Sequence, residues 1–198
     1  MKSVNRTGGT KKVLGFISEA GMLKRVQRSG WTVLGIKNPE SVADHSFRCA
    51  VIGYLLAREE KASAHKVLLM TLFNDMQEAR ITDLHKMAQR YIECGQAEER
   101  VFKEQVKSLP AGIRKELTEM RVEYKNQRTK ESLIARDADI LECLIQAKEY
   151  YEYGYKQAAK FMKKAPGFLV TKSARKLWRQ AKNIDTNDWW ISIGDFKR

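Results

Sequence analysis

Three places in this chain set ionisable or amide side chains into apolar helical sequence, and they are where chemistry would be done. His45 stands in Ser41-Val42-Ala43-Asp44-His45-Ser46-Phe47-Arg48. Asn74-Asp75 follows the apolar run Leu68-Leu69-Met70-Thr71-Leu72-Phe73, and Asp137-Ala138-Asp139 interrupts Leu133-Ile134-Ala135-Arg136 and Ile140-Leu141. Burying a charge without a partner or a metal is costly. Any one of these residues alone is more often a hydrogen-bonded core residue. Together they form a mixed imidazole and carboxylate set drawn from several helices, which suits a divalent ion such as Mn²⁺, Co²⁺, Zn²⁺ or Mg²⁺ bound in the core of a bundle.

The elements that must hold them read as helices. Val13, Phe16, Ile17, Met22, Leu23 and Val26 recur at helical spacing and end near the turn-like Arg28-Ser29-Gly30. Asn38-Pro39-Glu40-Ser41 is a turn and helix start, with Ser41 able to cap. The helix it opens carries His45 to Ala57, with Val42, Cys49 and Ile52 on one stripe and Phe47, Val51, Tyr54 and Leu55 widening it. Ser63 can cap a third helix to about Ala79, encircled by apolar residues and expected to be the central one. Further helices are expected over 84–107, 111–125, 130–164 and 171–182, broken at Pro110 and Pro166-Gly167. The predicted fold class is all-α, a single-domain helical bundle over 1–198.

Composition agrees. The chain has 198 residues, 43% of them hydrophobic, with 3 Pro and 12 Gly, a balance that suits neither disorder nor a Gly- and Pro-punctuated β-sandwich. Cys49, Cys94 and Cys143 form neither a CxxC pair nor a disulfide framework, which fits a reducing compartment. The apolar runs over 51–57 and 67–73 fall far short of the roughly 20 residues a membrane helix needs. The opening MKSVNRTGGTKK lacks the apolar stretch of a secretory signal, so a cytoplasmic location is expected. The net charge of +13 favours anionic partners, and the stretch from Lys156 to Lys182 holds no Asp or Glu. That stretch reads as a solvated basic helix face, with nucleic-acid contact as the alternative.

Pro39-Glu40-Ser41-Val42-Ala43-Asp44-His45-Ser46, then Leu72-Phe73-Asn74-Asp75-Met76-Gln77-Glu78-Ala79-Arg80-Ile81-Thr82-Asp83, then Arg136-Asp137-Ala138-Asp139, resemble in order and context the motifs of the HD-domain 5'-deoxynucleotidases. The resemblance covers about residues 12–155, leaving a basic, aromatic-rich C-terminal helical extension over 156–198. It implies an HD-type all-α bundle, a divalent metal cofactor, removal of phosphate from deoxynucleoside 5'-monophosphates, and a homodimer. It places the metal ligands on His45, Asn74, Asp75 and Asp139, with Asn74 standing where the family pattern has His. It places an acidic catalytic pair on Glu78 and Asp83, a phosphate-binding group on Arg28 and an adjoining aromatic on Trp31. Thr82 stands where many relatives have Gly.

Residue chemistry is compatible with these roles without demanding them. Glu78 lies three residues after Asp75, on the same helix face, within reach of a water or a leaving group; a surface carboxylate paired with Lys is the plainer reading. Asp83 could place the attacking water or cap a helix beginning at Leu84. Arg28 offers the planar fork of donors that suits phosphate. His65 is expected to be exposed, His85 to be no ligand, and Cys143 to be core. An amide oxygen at position 74 is a weaker ligand than imidazole, and loss of even indirect support for a metal typically costs about 10- to 100-fold. That leaves a phosphohydrolase with altered ligation, a non-hydrolysing nucleotide- or nucleic-acid-binding protein, or an introduced substitution. Retention of the other five acidic and imidazole groups favours the enzyme.

Overall fold

Capping chemistry fixes where the major helices start. The side-chain oxygens of Ser41, Ser63, Thr129 and Thr171 accept the backbone N–H groups of Asp44, Lys66, Ser132 and Ala174, each worth about 1 kcal/mol. At Ser41 the bond is reciprocated, the Asp44 carboxylate accepting the Ser41 N–H at 2.9 Å. The computed structural model describes residues 6–191 and 193–194. In chain order its helices are α1 (Arg6–Met22), α2 (Ser29–Thr32), α3 (Val42–Glu59), α4 (Ala64–Phe73), α5 (Glu78–Ile81), α6 (Lys86–Gln89), α7 (Cys94–Lys107), α8 (Ala111–Asn126), α9 (Lys130–Glu152), α10 (Ala159–Lys164), α11 (Lys172–Ala181) and α12 (Asp188–Ile191). Among the described residues no strand forms, and the one extended pairing is an isolated antiparallel bridge between Gln27 and Ser41. The all-α expectation holds.

The centre of the bundle is α9, not α4. Ile134, Ala135, Ala138, Leu141, Leu144 and Ala147 are all fully buried, whereas Leu72 on α4 is 43% exposed. α3 and α4 pack on α9 through Ile52, Leu56, Val67 and Met70, with Trp178 of α11 closing the same core. The close approach of α3 to α4 depends on Gly53, where a Cβ would meet Val67 Cγ1 at 2.9 Å. A second cluster, Leu23, Val26, Val42, Met76, Phe102 and Val106, joins the N-terminal part to α7. Phe47, Val51, Tyr54 and Leu55 do not widen the buried stripe of α3; they lie on its outer face and are 42–68% exposed.

Three expected helices are shorter than their patterns imply. The helix from Ser63 ends at Phe73, because the next N–H groups bond three residues back: Met76 to Phe73, Glu78 to Asp75 and Ala79 to Met76. The stretch 84–107 divides into α6 and α7, and 130–164 ends as a helix at Glu152. There Gly154, at φ +103°, lets the chain reverse, with Tyr155 N–H on Tyr150 O and Gly154 N–H on Tyr151 O.

Asp137 is a structural anchor, which corrects its candidacy as a ligand. Its carboxylate accepts the Val170 N–H at 2.9 Å, and the Thr171 N–H and hydroxyl at 2.7 and 2.6 Å. It thereby pins the start of α11 to α9. Trp178 is buried, while Trp189 and Trp190 are 70% and 51% exposed; Phe196 lies outside the described residues.

Candidate metal centre and active site

His45 is held on the first turn of α3 by the Ser41 cap, Asp75 on the tight turn after α4, and Asp139 in the middle of α9. The bundle brings them together. His45 Nε2 lies 3.2 Å from Asp139 Oδ1 and 3.6 Å from Asp75 Oδ2. Asn74 adjoins them, its amide donating to Asp75 Oδ1 at 2.7 Å. The turn that carries Asn74 and Asp75 is braced by Arg121 of α8, whose guanidinium donates to Asn74 O and to Gln77 Oε1, each at 3.1 Å.

One cavity of about 490 Å³ takes in Arg28, Trp31, Asn74, Asp75, Glu78, Asp83 and Asp139, seven of the eight residues singled out in the sequence. Its volume falls in the range of small-molecule sites. Trp31, 3% exposed, is fixed edge-on to Tyr150 and tilted on Phe161, and its indole N–H donates to Glu40 Oε1 at 2.8 Å. His85 also reaches the cavity wall, but its Nδ1 accepts the Ala88 N–H and caps α6. His65 is exposed and pairs with Glu116. The 156–182 stretch gives the cavity Phe161 and Ala165 and none of its Lys or Arg, most of which are exposed.

The site gathers negative charge. Burial alone would lower the Arg28 guanidinium, but Asp75, Asp83, Asp139 and Glu78 around it raise its pKa well above the ordinary value. Burial opposes ionisation of Asp139, yet bonding to His45 holds its carboxyl well below the usual range. Asp75 is shifted upward, chiefly by burial. The Glu78 carboxyl is pushed up to about 10 by burial and then by Asp75 and Asp83, and its Oε2 is buried with no hydrogen-bond partner. In the metal-free fold both causes favour its protonated form.

Nitrogen and carboxylate donors converging on His45 Nε2, within a buried excess of carboxylates, fit a hard or borderline divalent cation. Cys49 Sγ is 3.4 Å from the same nitrogen and forms a compact trio with His45 and Asp139. Burial pushes its thiol up to about 12 in the metal-free fold, and its place in this trio puts it beside any ion held by His45 and Asp139. A second trio, Glu40, His45 and Glu142, forms on the opposite side of the ring. There Nδ1 is already taken by Glu142 Oε2. Sequence reasoning passed over Glu142 and its partner Arg48, although Glu142 is one more acid in the apolar run from Ile140 to Ile145.

Asp83 caps no helix of its own, because α6 starts at Lys86 with His85 as its cap. Instead it accepts the Ser29 N–H at 2.7 Å, at the start of α2, and stands 4.0 Å from Arg28. Its approach is set by Thr82, at φ +63° and ψ 168°, a region open in practice to Gly alone. Such strain costs about 1–3 kcal/mol, whereas a Gly loosens the unfolded chain by somewhat less. Thr82→Gly should therefore stabilise the protein by about 1 kcal/mol, read as a higher urea midpoint. A lower midpoint would mean that the strain is not carried in solution.

The pattern of the HD domain family matches residues 20–184 of the chain. The 5'-deoxynucleotidase HDDC2 of Homo sapiens is 32% identical over 149 residues, covering 75% of this chain and 72% of that protein. The 5'-deoxynucleotidase hdd1 of Schizosaccharomyces pombe is 24% identical over 188 residues, covering 91% and 93%. Among solved structures, a conserved hypothetical protein from Pyrococcus furiosus superposes with a TM-score of 0.75 at 33% identity, covering 86% of this chain and 99% of that one.

Proposed function

The chain belongs to the HD domain family, and from that premise we propose that it is a metal-dependent phosphohydrolase acting on deoxynucleoside 5'-monophosphates. The observation that carries the reading is the convergence of Asp75 and Asp139 on His45 Nε2, in a cavity that also contains Arg28 and Glu78. His45, Asp75 and Asp139 would hold the ion, and Asn74, with its amide nitrogen spent on Asp75, would offer its oxygen. A bound divalent ion supplies positive charge against the phosphoryl oxygens and makes water more acidic.

The chain's own groups do the rest. Arg28 receives the phosphate's negative charge, exchanging part of its carboxylate surroundings for the substrate. Asp83 orients the attacking water. As water's oxygen bonds to phosphorus and the P–O5' bond breaks, Glu78 gives its proton to the departing O5'; the water leaves one proton on the new phosphate and yields the other, which restores Glu78, so that deoxynucleoside and inorganic phosphate depart. Trp31, fixed by Glu40, Tyr150 and Phe161, borders the sugar or base.

The assay is phosphate release from deoxynucleoside and ribonucleoside monophosphates with Mn²⁺, Co²⁺, Mg²⁺ or Zn²⁺. Turnover that needs the ion supports the reading, and no turnover with any of them contradicts it. Among the described residues no helix is long and apolar enough to cross a membrane; a cytoplasmic setting is part of the same proposal. The exposed stripe Phe47, Val51, Tyr54 and Leu55 supports the expected homodimer by offering a face for a second copy. Light scattering at twice the chain mass would support it, and a monomer mass would contradict it.

A further inference from the structure

We infer that Glu142 is the positioning residue of the metal centre, fixing the tautomer and aim of His45. Glu142 is fully buried and both its oxygens are committed. Oε2 bonds His45 Nδ1, and Oε1 accepts from Arg48 Nε and Nη2 at 2.9 and 2.8 Å. Arg48 is itself tied down by Glu149 at 2.7 Å and by Gln146. The carboxylate thus has its counter-charge on one side and an imidazole on the other, and the only proton it can share with the ring is the one on Nδ1.

The arrangement follows from register. His45 and Arg48 lie three residues apart on α3, and Asp139 and Glu142 three apart on α9, so each helix presents two groups on one facing stripe. The pairs interlock: His45 meets both acids, and Arg48 takes Glu142. In the metal-free fold Nε2 faces the carboxylates of Asp75 and Asp139; with the other proton held on Nδ1, Nε2 is the nitrogen that can give up its hydrogen and offer a lone pair to an ion. A ring free to adopt the other tautomer would place a proton where the ion must bind. Metal-ligating histidines use a carboxylate in this way, and losing it costs about 10- to 100-fold in metal affinity. The neighbouring buried acid, Asp137, is spent on Val170 and Thr171 and has no part in this.

The inference rests on the proposed metal reading, and the test separates the two. Mn²⁺ titrated calorimetrically into the full chain should bind about 10- to 100-fold more weakly to Glu142→Gln, normally to Asp137→Asn, and not at all to His45→Ala. If His45→Ala abolishes binding while Glu142→Gln binds like the wild type, Glu142 is merely structural and the inference is overturned alone. If His45→Ala binds normally, the metal reading falls and takes the inference with it. Should Glu142→Gln not fold, the wild type still decides: with three histidines in the chain, a long-range ¹H–¹⁵N spectrum of the metal-free protein, taken where the ring is neutral, assigns His45. The Nδ1–H tautomer is expected, and an Nε2–H tautomer would overturn the proposal.

Discussion

Glu78→Gln should lower kcat for a deoxynucleoside monophosphate by about 10²- to 10⁴-fold, the usual worth of a general acid, while making the metal-free protein more stable. Both effects come from one property. Burial and the carboxylates of Asp75 and Asp83 push the Glu78 carboxyl up to about 10, far above its value in the unfolded chain. The native state therefore keeps a proton that the unfolded state has already released at neutral pH. With the folded pKa raised, this group's contribution to stability is complete below the unfolded value, near pH 4 to 5. It is lost steadily as pH rises towards 10. Gln keeps the shape and cannot ionise, so its stability advantage over the wild type should be small at pH 5 and grow towards pH 9. Thermal melts of both proteins across that range, beside steady-state kinetics, read the two effects. A variant with kcat within a few-fold of the wild type would show that Glu78 does not protonate the leaving group. A stability difference that shrinks with pH would show that its carboxyl is ionised in the fold.

Asn74→His should raise divalent-metal affinity by at least about 10-fold, and turnover with it, because imidazole is a stronger donor than an amide oxygen. The position is ready for a ligand. Asn74 sits on the turn that breaks away from α4, its carbonyl held by Arg121 and its side chain against Asp75, at the wall of the cavity. The substitution gives up the amide bond to Asp75 and gains a nitrogen beside it, on the wall of the cavity that Asp139 also lines. Metal content by mass spectrometry and phosphate release should rise together. If neither changes, residue 74 is no ligand and the placement of the motif on this chain is wrong at its centre.

What could be read in advance divides along physical lines. Buried charge in apolar helix is visible one residue at a time, so His45, Asp75 and Asp139 stood out before any geometry was known. Asp137 met the same criterion and proved to be an anchor, because sequence shows that a carboxylate is buried but not whether backbone N–H groups will satisfy it. Glu142 met it as well, yet its meaning depends on the register of α3 against α9, which only packing supplies. Helix starts were legible because a cap is a local bond between a side chain and the N–H three residues on. Helix ends were less so: α4 stops at Phe73 where Arg121, distant in sequence, takes up the Asn74 carbonyl. On α3 the outer stripe Phe47, Val51, Tyr54 and Leu55 was assigned to the core because apolar type alone does not tell an inner face from an outer one.

The central claim is that one divalent ion is held by His45, Asp75 and Asp139 at the head of the cavity. An anomalous-difference map from crystals grown with Mn²⁺ tests it most directly. The account predicts a single strong peak at coordination distance from His45 Nε2 and from carboxylate oxygens of Asp75 and Asp139. A peak on the Glu40 and Glu142 side of the ring, or none in the cavity of a crystal that binds Mn²⁺ elsewhere, would contradict it.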